Sequence, residues 1–248
     1  MKPFSIPLTK MQKAIVLGSI LGDGALEFGG YAGTRLQIKQ SLQRKEYVFW
    51  LYERLKKTCN LPPKQRKDNK QWYFATRFTI ELTWYYKKFY EQKTGRKKIP
   101  KDIADLLKLP LTLAVWYMDD GSLDYRPKDH CAFSFSVDNC SLDEAKLLTL
   151  ALQKNFGINA SIQMPSSRGK GYPKLYIGAK GREKFLQVVT PYIHRCFAYK
   201  LPQNRVSPSE TESLPPWQGG DRRHLPSRKA KNSYHTPSSS FAHTSYGG

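Results

Sequence analysis

Two apolar stretches that each end in Asp-Gly constrain the fold of this chain more than any other feature. They read VLGSILGDG over residues 16–24 and LAVWYMDDG over residues 113–121. A lone Asp-Gly pair after a helix is usually an ordinary turn. Its recurrence in matching positions instead indicates an internal repeat, and a repeated unit buries its apolar face against its copy. The sequence therefore predicts two related halves that pack through these two stretches.

The remaining sequence repeats one order of elements in both halves. Apolar spacing of three to four residues predicts helices, and alternation of polar and apolar residues predicts strands. Ser141 with Glu144 three residues later is typical of a capping box, which opens a helix. Each half is thus an αββαββα-like unit with one weakly marked strand, which predicts an α+β fold with one antiparallel sheet per half. The predicted helices are 9–21, 45–58, 80–92, 111–119, 141–156 and 182–193, and the predicted strands are 35–40, 63–67, 72–78, 132–137, 160–164 and 174–177.

The last part of the chain differs in composition. Residues 208–248 contain five Pro, eight Ser and four Gly but few aliphatic side chains, and such a segment cannot bury enough apolar surface to fold. We therefore predict a first half over residues 1–104, a second half over residues 105–207 and a disordered, dispensable tail over residues 208–248.

The charge balance points to a polyanionic partner. The chain carries 41 Lys and Arg against 20 Asp and Glu, a formal net charge of +21. Such an excess repels itself unless a polyanion neutralises it, and nucleic acid does so with release of counterions. No stretch approaches the roughly 20 consecutive apolar residues of a membrane-spanning helix, and the N-terminus lacks the apolar region of a secretory signal. We expect a nucleic-acid partner and no membrane.

The cysteines favour neither a disulfide framework nor a zinc site. Cys59, Cys131, Cys140 and Cys196 are scattered and form no CxxC pair. His130 beside Cys131 does not complete a common metal-ligand spacing. We expect reduced thiols.

The positions of Asp23 and Asp120 are chemically unusual. A carboxylate at a helix C-terminus faces the negative end of the helix dipole, at a cost of about 0.3–1 kcal/mol, so a positive group should lie nearby. Gly18 and Gly22, on one helix face, would let a partner helix approach closely and bring the two carboxylates together. Two carboxylates completed by phosphate oxygens and water suit Mg²⁺. The glycine after each aspartate is expected to end its helix in the left-handed conformation.

GSILGDG and LAVWYMDDG resemble the two signature helices of the LAGLIDADG homing endonuclease family, whose last acidic position holds the metal. The likeness extends to KKIPKDI and YIHRCFAYKLP, which resemble monomeric, intron-encoded members from organelles, and it spans roughly residues 10–202. The first motif departs from the family name at Ser19 and Leu21, which concerns packing more than chemistry. The resemblance implies a Mg²⁺-dependent DNA endonuclease that cuts a long, non-palindromic target as a monomer and promotes intron homing.

The resemblance also implies a metal site. We assign Asp23 and Asp120, with the preceding residues Gly22 and Asp119, to a site that shares two or three Mg²⁺ ions, for which Mn²⁺ can substitute. Asp119 precedes the matched acidic position, and its role stays open.

Catalytic residues around the metal follow from the same resemblance. In the family a glutamine, a basic residue and a lysine near the end of each half surround the metal, and the matching residues here are Gln40, Arg44, Lys97 and Lys200. In the second half Asp138 takes the place of the glutamine and no arginine appears. Register with organellar relatives selects Lys97, whereas alignment of the two halves selects Lys98; we prefer Lys97.

Polar residues on the predicted strands form the candidate DNA-binding face. Strands of about ten residues would span ~33 Å, close to one turn of B-DNA, so two sheets could follow the major groove on either side of the cut. Arg and Gln side chains can read guanine and adenine edges, although a polar strand face is often simply hydrated. The candidates are Arg35, Gln37, Lys39, Lys64, Arg66, Lys67, Lys70 and Arg77 in the first half and Ser134, Ser136, Gln163, Arg168, Lys170 and Lys174 in the second.

Basic charge alone does not separate DNA from RNA. The alternative function is an RNA maturase that assists splicing of a group I intron, a role that the family fold can acquire. Intact Asp23 and Asp120 favour the nuclease. A transcription regulator on this scaffold would carry an additional DNA-binding module, and none is recognisable in the sequence. The likeness to intron-encoded members implies location in a mitochondrion or chloroplast.

Overall fold

Each half of the chain runs helix, two strands, helix, two strands, helix, as the repeated pattern predicts, and a short helix and a hairpin are added to this order. The computed structural model describes residues 5, 7–127, 129–167 and 170–202. The first half contains α1 (Lys10–Leu21), β1 (Ala25–Phe28), β2 (Thr34–Gln40), α2 (Lys45–Leu55), β3 (Lys64–Gln65), β4 (Trp72–Ala75) and α3 (Ile80–Phe89). A short helix, α4 (Ile103–Leu106), then leads to α5 (Pro110–Asp120), β5 (Gly121–Arg126), β6 (His130–Ser136), α6 (Leu142–Phe156), β7 (Ser161–Gln163), β8 (Ser166–Ser167), β9 (Lys170–Gly171), β10 (Lys174–Ile177) and α7 (Ala179–Val189).

The two halves have the same sheet topology. The first sheet has the strand order β1-β2-β4-β3 and the second β5-β6-β10-β7, with antiparallel pairing throughout both sheets. The strands β8 and β9 form a separate hairpin between β7 and β10. The structure thus confirms the α+β fold with one antiparallel sheet per half.

The two motif helices form the central seam between the halves. Helix α1 begins with a capping box formed by Thr9 and Gln12, and α5 begins with a proline at the position where no main-chain N–H is needed. Most side chains of both helices are buried, because each helix packs against its sheet on one side and against the other helix on another.

Glycines set the distance between these helices. A Cβ at Gly18 would lie 2.7 Å from the carbonyl oxygen of Thr112 and 2.7 Å from Cβ of Val115. At Gly22 it would lie 2.5 Å from Cβ of Asp119. Neither position has room for a larger residue, so the prediction that Gly18 and Gly22 allow close helix approach is confirmed.

The conformation expected for the glycines after the aspartates is wrong. Helix α1 ends at Gly22, with φ −98°, and α5 ends at Gly121, with φ −79°. Neither Gly24 nor Gly121 is among the described residues with positive φ. Space explains these glycines instead, because a Cβ would lie 2.7 Å from the carbonyl oxygen of Ser19 at Gly24 and 1.9 Å from the ring of Tyr117 at Gly121.

The strands fall short of the ten residues that would span one turn of B-DNA. Among the described strands the longest, β2 and β6, have seven residues, and the predicted strands do not include β1 and β5. The capping box of Ser141 and Glu144 is confirmed at the start of α6. Helix α7 begins at Ala179, three residues earlier than predicted, and turns into a 3₁₀ helix after Val189.

All described residues belong to one compact unit. The boundary between residues 104 and 105 therefore stays a prediction, and the tail over residues 208–248 lies outside the described residues. No helix in the described part of the chain is long and apolar enough to cross a membrane.

Candidate active site and nucleic-acid interface

Three carboxylates meet where α1 and α5 end. Asp23 is exposed, whereas Asp119 and Asp120 are half-buried. The main-chain N–H of Asp23 donates to Oδ2 of Asp119 over 3.4 Å. The glycine seam at Gly22 thus brings carboxylates from both halves to one point, as the repeated motif predicts.

Gln40 connects two of these carboxylates. It is the last residue of β2, on the strand face that points away from solvent, and only 9% of it is exposed. Its Nε2 donates to Oδ2 of Asp23 at 2.8 Å and to Oδ1 of Asp119 at 3.2 Å. Hydrogen bonds to ionised oxygens are stronger than neutral ones, so Gln40 fixes the orientation of both carboxylates.

A lysine from late in each half caps the motif helix of that half. Helix C-termini carry unpaired carbonyls and partial negative charge, which a cation offsets. These lysines supply positive charge at the helix ends that carry the aspartates, in addition to the metal that the sequence leads us to expect. The bonds run from Nζ of Lys97 to the carbonyls of Gly22 (3.1 Å) and Gly24 (3.2 Å), and from Nζ of Lys200 to those of Tyr117 (3.2 Å) and Met118 (2.7 Å).

The structure places Lys97, rather than Lys98, at the end of α1. The segment is extended here, with Lys97 paired to Tyr90, and successive side chains in extended backbone point in opposite directions. The main-chain N–H of Lys98 donates to the carbonyl of Phe89 at 2.8 Å, and Lys98, like Lys97, lines the cavity beside the carboxylates.

Burial and mutual repulsion shift the protonation of these groups. Burial, followed by the charges of Asp23 and Asp120, raises the pKa of Asp119 well above its usual range. Burial and the charge of Asp23 raise the pKa of Asp120 to about 7, although both lysines oppose this shift. Burial lowers the pKa of Lys97 and lowers that of Lys200 to about 8. The carboxylates would therefore gain from a further cation.

Tyr47 is a neighbour of this cluster that the sequence does not reveal. It lies in α2, fully buried, and its hydroxyl makes no hydrogen bond of normal geometry within the described residues. Burial and then the charge of the nearby Asp119 raise the pKa of Tyr47 well above its usual range. The helical pattern predicts a core position for Tyr47, but it gives no signal for where the hydroxyl points.

Arg44 reaches from the first half to the lysine of the second. Its Nη1 donates to the carbonyl of Cys196 at 3.1 Å, and its Nη2 donates to the hydroxyl of Tyr199. The guanidinium carbon lies 4.1 Å from the centre of the Phe197 ring. The charge of Arg44 adds to burial in lowering the pKa of Lys200, so the two cations share one end of the site.

A cavity of about 180 Å³ opens on the other side of the carboxylates. Asp23, Lys97, Asp120, Asp138 and Asn139 are among the residues that line it. Asp138 occupies the position matched to Gln40 and adds a repulsive charge to Asp120. The surroundings of the two motif aspartates are therefore asymmetric.

The donor set fits Mg²⁺ that is bound jointly with a substrate. In the described ranges no three or more His, Cys, Asp or Glu side chains are arranged to enclose a metal, so phosphate oxygens and water would have to complete the shell. Carboxylate oxygens are the hard ligands that Mg²⁺ prefers. Burial and the charge of Asp23 raise the pKa of Asp120 to about 7 although both lysines oppose this shift, so a further cation would favour the ionised carboxylate.

The outer face of the first sheet forms a basic groove. Lys39, Tyr73 and Lys64 lie opposite one another across β2, β4 and β3, and residues directly opposite share a face. The groove holds an open volume of about 610 Å³. Of the predicted contacts, Arg35, Gln37, Lys39, Lys64, Arg66 and Lys67 line it.

The second sheet presents an equivalent but less charged row. Ser136, Lys174 and Gln163 lie opposite one another across β6, β10 and β7. The expectation that Ser134 is exposed is wrong. Only 7% of it is accessible, and its hydroxyl pairs with that of Ser122 at 2.7 Å.

Four further predicted contacts lie outside these rows. Lys70 ends the turn between β3 and β4 with φ +59°, and Arg77 is half-buried with its charge acting on Cys59. Arg168 lies outside the described residues, and only the backbone of Lys170 is described.

Comparison with known families identifies the repeated motif. The model of the LAGLIDADG DNA endonuclease family matches residues 13–185, which include both Asp-Gly motifs and both sheets. The chain belongs to this family.

Proteins of similar sequence match most of the chain. The DNA endonuclease I-ChuI of Chlamydomonas applanata is 27% identical over 78% of this chain and 95% of its own length. The cytochrome b mRNA maturase bI2 of Debaryomyces hansenii is 28% identical over 80% of this chain and 76% of its own length. Among solved structures, the homing endonuclease I-WcaI bound to its DNA recognition sequence is similar with a TM-score of 0.65 and 24% identity over 79% of this chain and 88% of that chain.

Proposed function

We propose that this protein is a homing endonuclease that cuts both strands of one long, non-palindromic DNA target. Membership of the LAGLIDADG DNA endonuclease family gives the reaction class. The observation that carries the proposal is the meeting of Asp23 and Asp119 across the helix seam, with Asp120 next to them. Two unlike sheets flank that point, so an unlike pair of half-sites is the expected target.

The two motif aspartates, Asp23 and Asp120, would hold Mg²⁺. The main-chain oxygen of Gly22 and an oxygen of Asp119 would complete the protein ligands. When bound, Mg²⁺ supplies positive charge to the scissile phosphate and favours ionisation of the attacking water. Gln40 holds the carboxylate of Asp23 in its orientation. Mn²⁺ should substitute, because it accepts the same oxygen ligands.

Lys97 and Lys200 would act on the phosphate or on the attacking water. An ammonium has three N–H donors, and each lysine uses two of them on the carbonyls of a helix end. The third remains for a phosphate oxygen or a water on each side of the site. Positive charge held in advance where negative charge develops lowers the barrier to hydrolysis.

Replacement of Asp23 or Asp120 by Asn tests this function. The probe is a duplex selected from a randomised library by wild-type cleavage in Mg²⁺. Each variant should lose cleavage by at least about 100-fold, the usual size of a lost electrostatic contribution, while binding in Ca²⁺ largely survives. Asp143→Asn, an exposed change on α6, serves as the control and should cut normally. Near-normal cleavage by Asp23→Asn and Asp120→Asn would refute the enzymatic function.

RNA maturation of a group I intron is the second candidate function. The likeness to a cytochrome b mRNA maturase favours it, and the same basic surface could hold RNA. This likeness also supports an organellar, intron-encoded origin. If the two Asn variants cut normally, or if the wild type cuts no duplex but promotes splicing, the maturase would replace the nuclease as the proposed function.

A single chain should suffice for activity. The helix seam that would join two subunits is already filled by α1 and α5 of one chain, and a monomer on the DNA follows from this arrangement.

A further inference from the structure

Glu27 is an acidic residue placed among the basic residues of the first sheet. Strand β1 is short and weakly marked in the sequence, so no prediction included it. Glu27 lies directly opposite Arg35 in the pairing of β1 with β2. Its side chain is 43% exposed on the edge of the groove that Arg35 and Gln37 line. A carboxylate here opposes phosphate binding, so its presence calls for another explanation.

Glu27 holds the two neighbouring side chains in fixed positions. The Nε of Arg35 donates to Oε2 of Glu27 at 2.8 Å, and Nη2 donates to Oε1 at 3.0 Å. The side-chain amide of Gln37 also donates to Oε2 of Glu27. One carboxylate thus binds an Arg and a Gln of the groove, two residue types that read base edges with two hydrogen bonds.

Phe78 holds the guanidinium of Arg35 from a further direction. The guanidinium carbon lies 4.8 Å from the centre of the Phe78 ring. The ring itself is closely placed, because a Cβ at Gly29 would lie 2.5 Å from it. Arg35 is therefore fixed by a carboxylate along one edge and by an aromatic ring beside it.

The edge of Arg35 that stays available has a defined chemistry. The guanidinium carries five N–H donors in a rigid plane. Glu27 occupies the edge formed by Nε and Nη2, which leaves the terminal edge, with one N–H each from Nη1 and Nη2. Two parallel donors at this spacing match O6 and N7 of guanine in the major groove.

We propose that Glu27 and Arg35 form one reading unit that recognises a guanine in the target. Arg35 makes the base contact, and Glu27 is a positioning residue that determines which edge of the guanidinium faces the DNA. This inference rests on the proposed function, because it requires that DNA lie in the groove of the first sheet. Fixing the side chain in advance removes entropy that binding would otherwise cost.

Binding selection from a randomised duplex library in Ca²⁺ tests the reading unit. The wild type should enrich one G·C pair whose preference disappears in Arg35→Ala. Glu27→Gln keeps the shape but removes the charge, and it should reduce that preference by about 5-fold or more, since a bidentate contact discriminates by about 5- to 150-fold. Preferences at the other positions should stay, and mean affinity should hold or rise because the variant has one negative charge fewer.

Arg66 and Asp68 provide the matched control. They also form a two-bond pair in the groove, with Nε to Oδ1 at 3.0 Å and Nη2 to Oδ2 at 2.7 Å, but both sit in the exposed turn after β3. Asp68→Asn should change no base preference at the Arg35 position. An unchanged preference in Glu27→Gln, or an equal loss in Asp68→Asn, would overturn the reading unit while the enzyme still selected and cut DNA. Selection of no sequence by the wild type would instead refute the proposed function itself.

Discussion

A single ammonium group has two tasks at each motif helix. The ammonium of Lys97 donates to the carbonyls of Gly22 and Gly24, and its positive charge stabilises the helix end that carries Asp23. An ammonium has three N–H donors, so one would remain for a phosphate oxygen or a water. The structural and the chemical contributions of this lysine therefore cannot be separated by removing it alone.

Lys97 and Lys98 form a natural matched pair for this question. We predict that Lys97→Met lowers the cleavage rate at saturating DNA by about 100-fold, because positive charge is lost where the reaction builds negative charge. Lys98→Met should lower affinity slightly and leave that rate unchanged. Single-turnover cleavage and thermal unfolding would be measured for both. Equal losses of rate in the two variants would contradict the assignment of Lys97.

Asp120 makes the metal-free protein sensitive to pH. Its folded pKa of about 7 lies above the value of an unfolded aspartate, so the folded state binds the extra proton and loses stability as pH rises from about 4 to about 7. Asp120→Asn lacks this loss. Without divalent metal we predict that the variant unfolds at a higher temperature than the wild type at pH 7.5, by several degrees, and that the difference shrinks at pH 5.

Added Mg²⁺ supplies the second half of this test. It should raise the unfolding temperature of the wild type at pH 7.5, because binding to the folded state stabilises it, and it should raise that of Asp120→Asn much less. A difference in unfolding temperature that is independent of both pH and Mg²⁺ would show that ionisation of Asp120 does not destabilise the metal-free protein.

At the level of elements, the sequence predicts the helices better than the strands. Helices α1 and α5 are apolar on nearly all sides, and this pattern admits few alternatives. Strands β1 and β5 begin within two residues of the motif aspartates. The sequence ALEF of β1 is short and shows little alternation, whereas GSLDYR of β5 alternates polar and apolar residues and could have been predicted as a strand. Both strands pair with the next strand along the chain, β2 and β6, and the residues of one short segment do not by themselves reveal such pairing.

The residues of the candidate site also divide into those that the sequence predicts and those that it does not. Asp23, Gln40 and Lys97 could be placed from the motif and its resemblance, and the structure brings them together. Glu27 and Tyr47 could not, because their positions depend on strand register and on packing between helices. The prediction of a left-handed Gly121 is wrong because it rests on the general preference for glycine after a helix. The glycine is required here for lack of space, since a Cβ would lie 1.9 Å from the ring of Tyr117.

The helix seam leads to a prediction at this scale. Gly18→Ala places a methyl group 2.7 Å from both the Thr112 carbonyl oxygen and Val115, so the helices must separate or shift. We predict a loss of about 1–3 kcal/mol in the free energy of unfolding, the usual cost of overpacking, and a loss of cleavage as the carboxylates move apart. Lys13→Ala, an exposed change on the same helix, should do neither when measured by urea unfolding and cleavage. An unchanged free energy of unfolding in Gly18→Ala would show that the two helices have room for the added methyl group.

For the molecule as a whole, charge and sheet geometry determine how DNA is held. The groove of the first sheet is lined by several Lys and Arg side chains. The matching row of the second sheet contains Ser136 and Gln163 on either side of one lysine. Affinity should therefore depend more on the first half than on the second.

Salt dependence of binding measures this distribution. We predict that Lys67→Gln weakens DNA binding in Ca²⁺ and makes the slope of log affinity against log salt shallower by about 0.9, the contribution of one phosphate contact. Lys57→Gln removes the same charge from an exposed position outside the groove and should leave the slope unchanged. Equal slopes for the two variants would show that the groove does not contact the backbone of the DNA.

The glycine seam also has a consequence for the ends of the broken DNA. Contacts of Gly18 and Gly22 with the facing helix set the separation of the two helix ends that carry the carboxylates. The groove side chains that are proposed to contact DNA take no part in these contacts. The stagger between the two cuts should then be a constant of the scaffold. Variants whose sheets are altered to recognise new targets would leave single-stranded overhangs of one unchanging length, and fragments from different targets could be matched for ligation by overhang sequence alone.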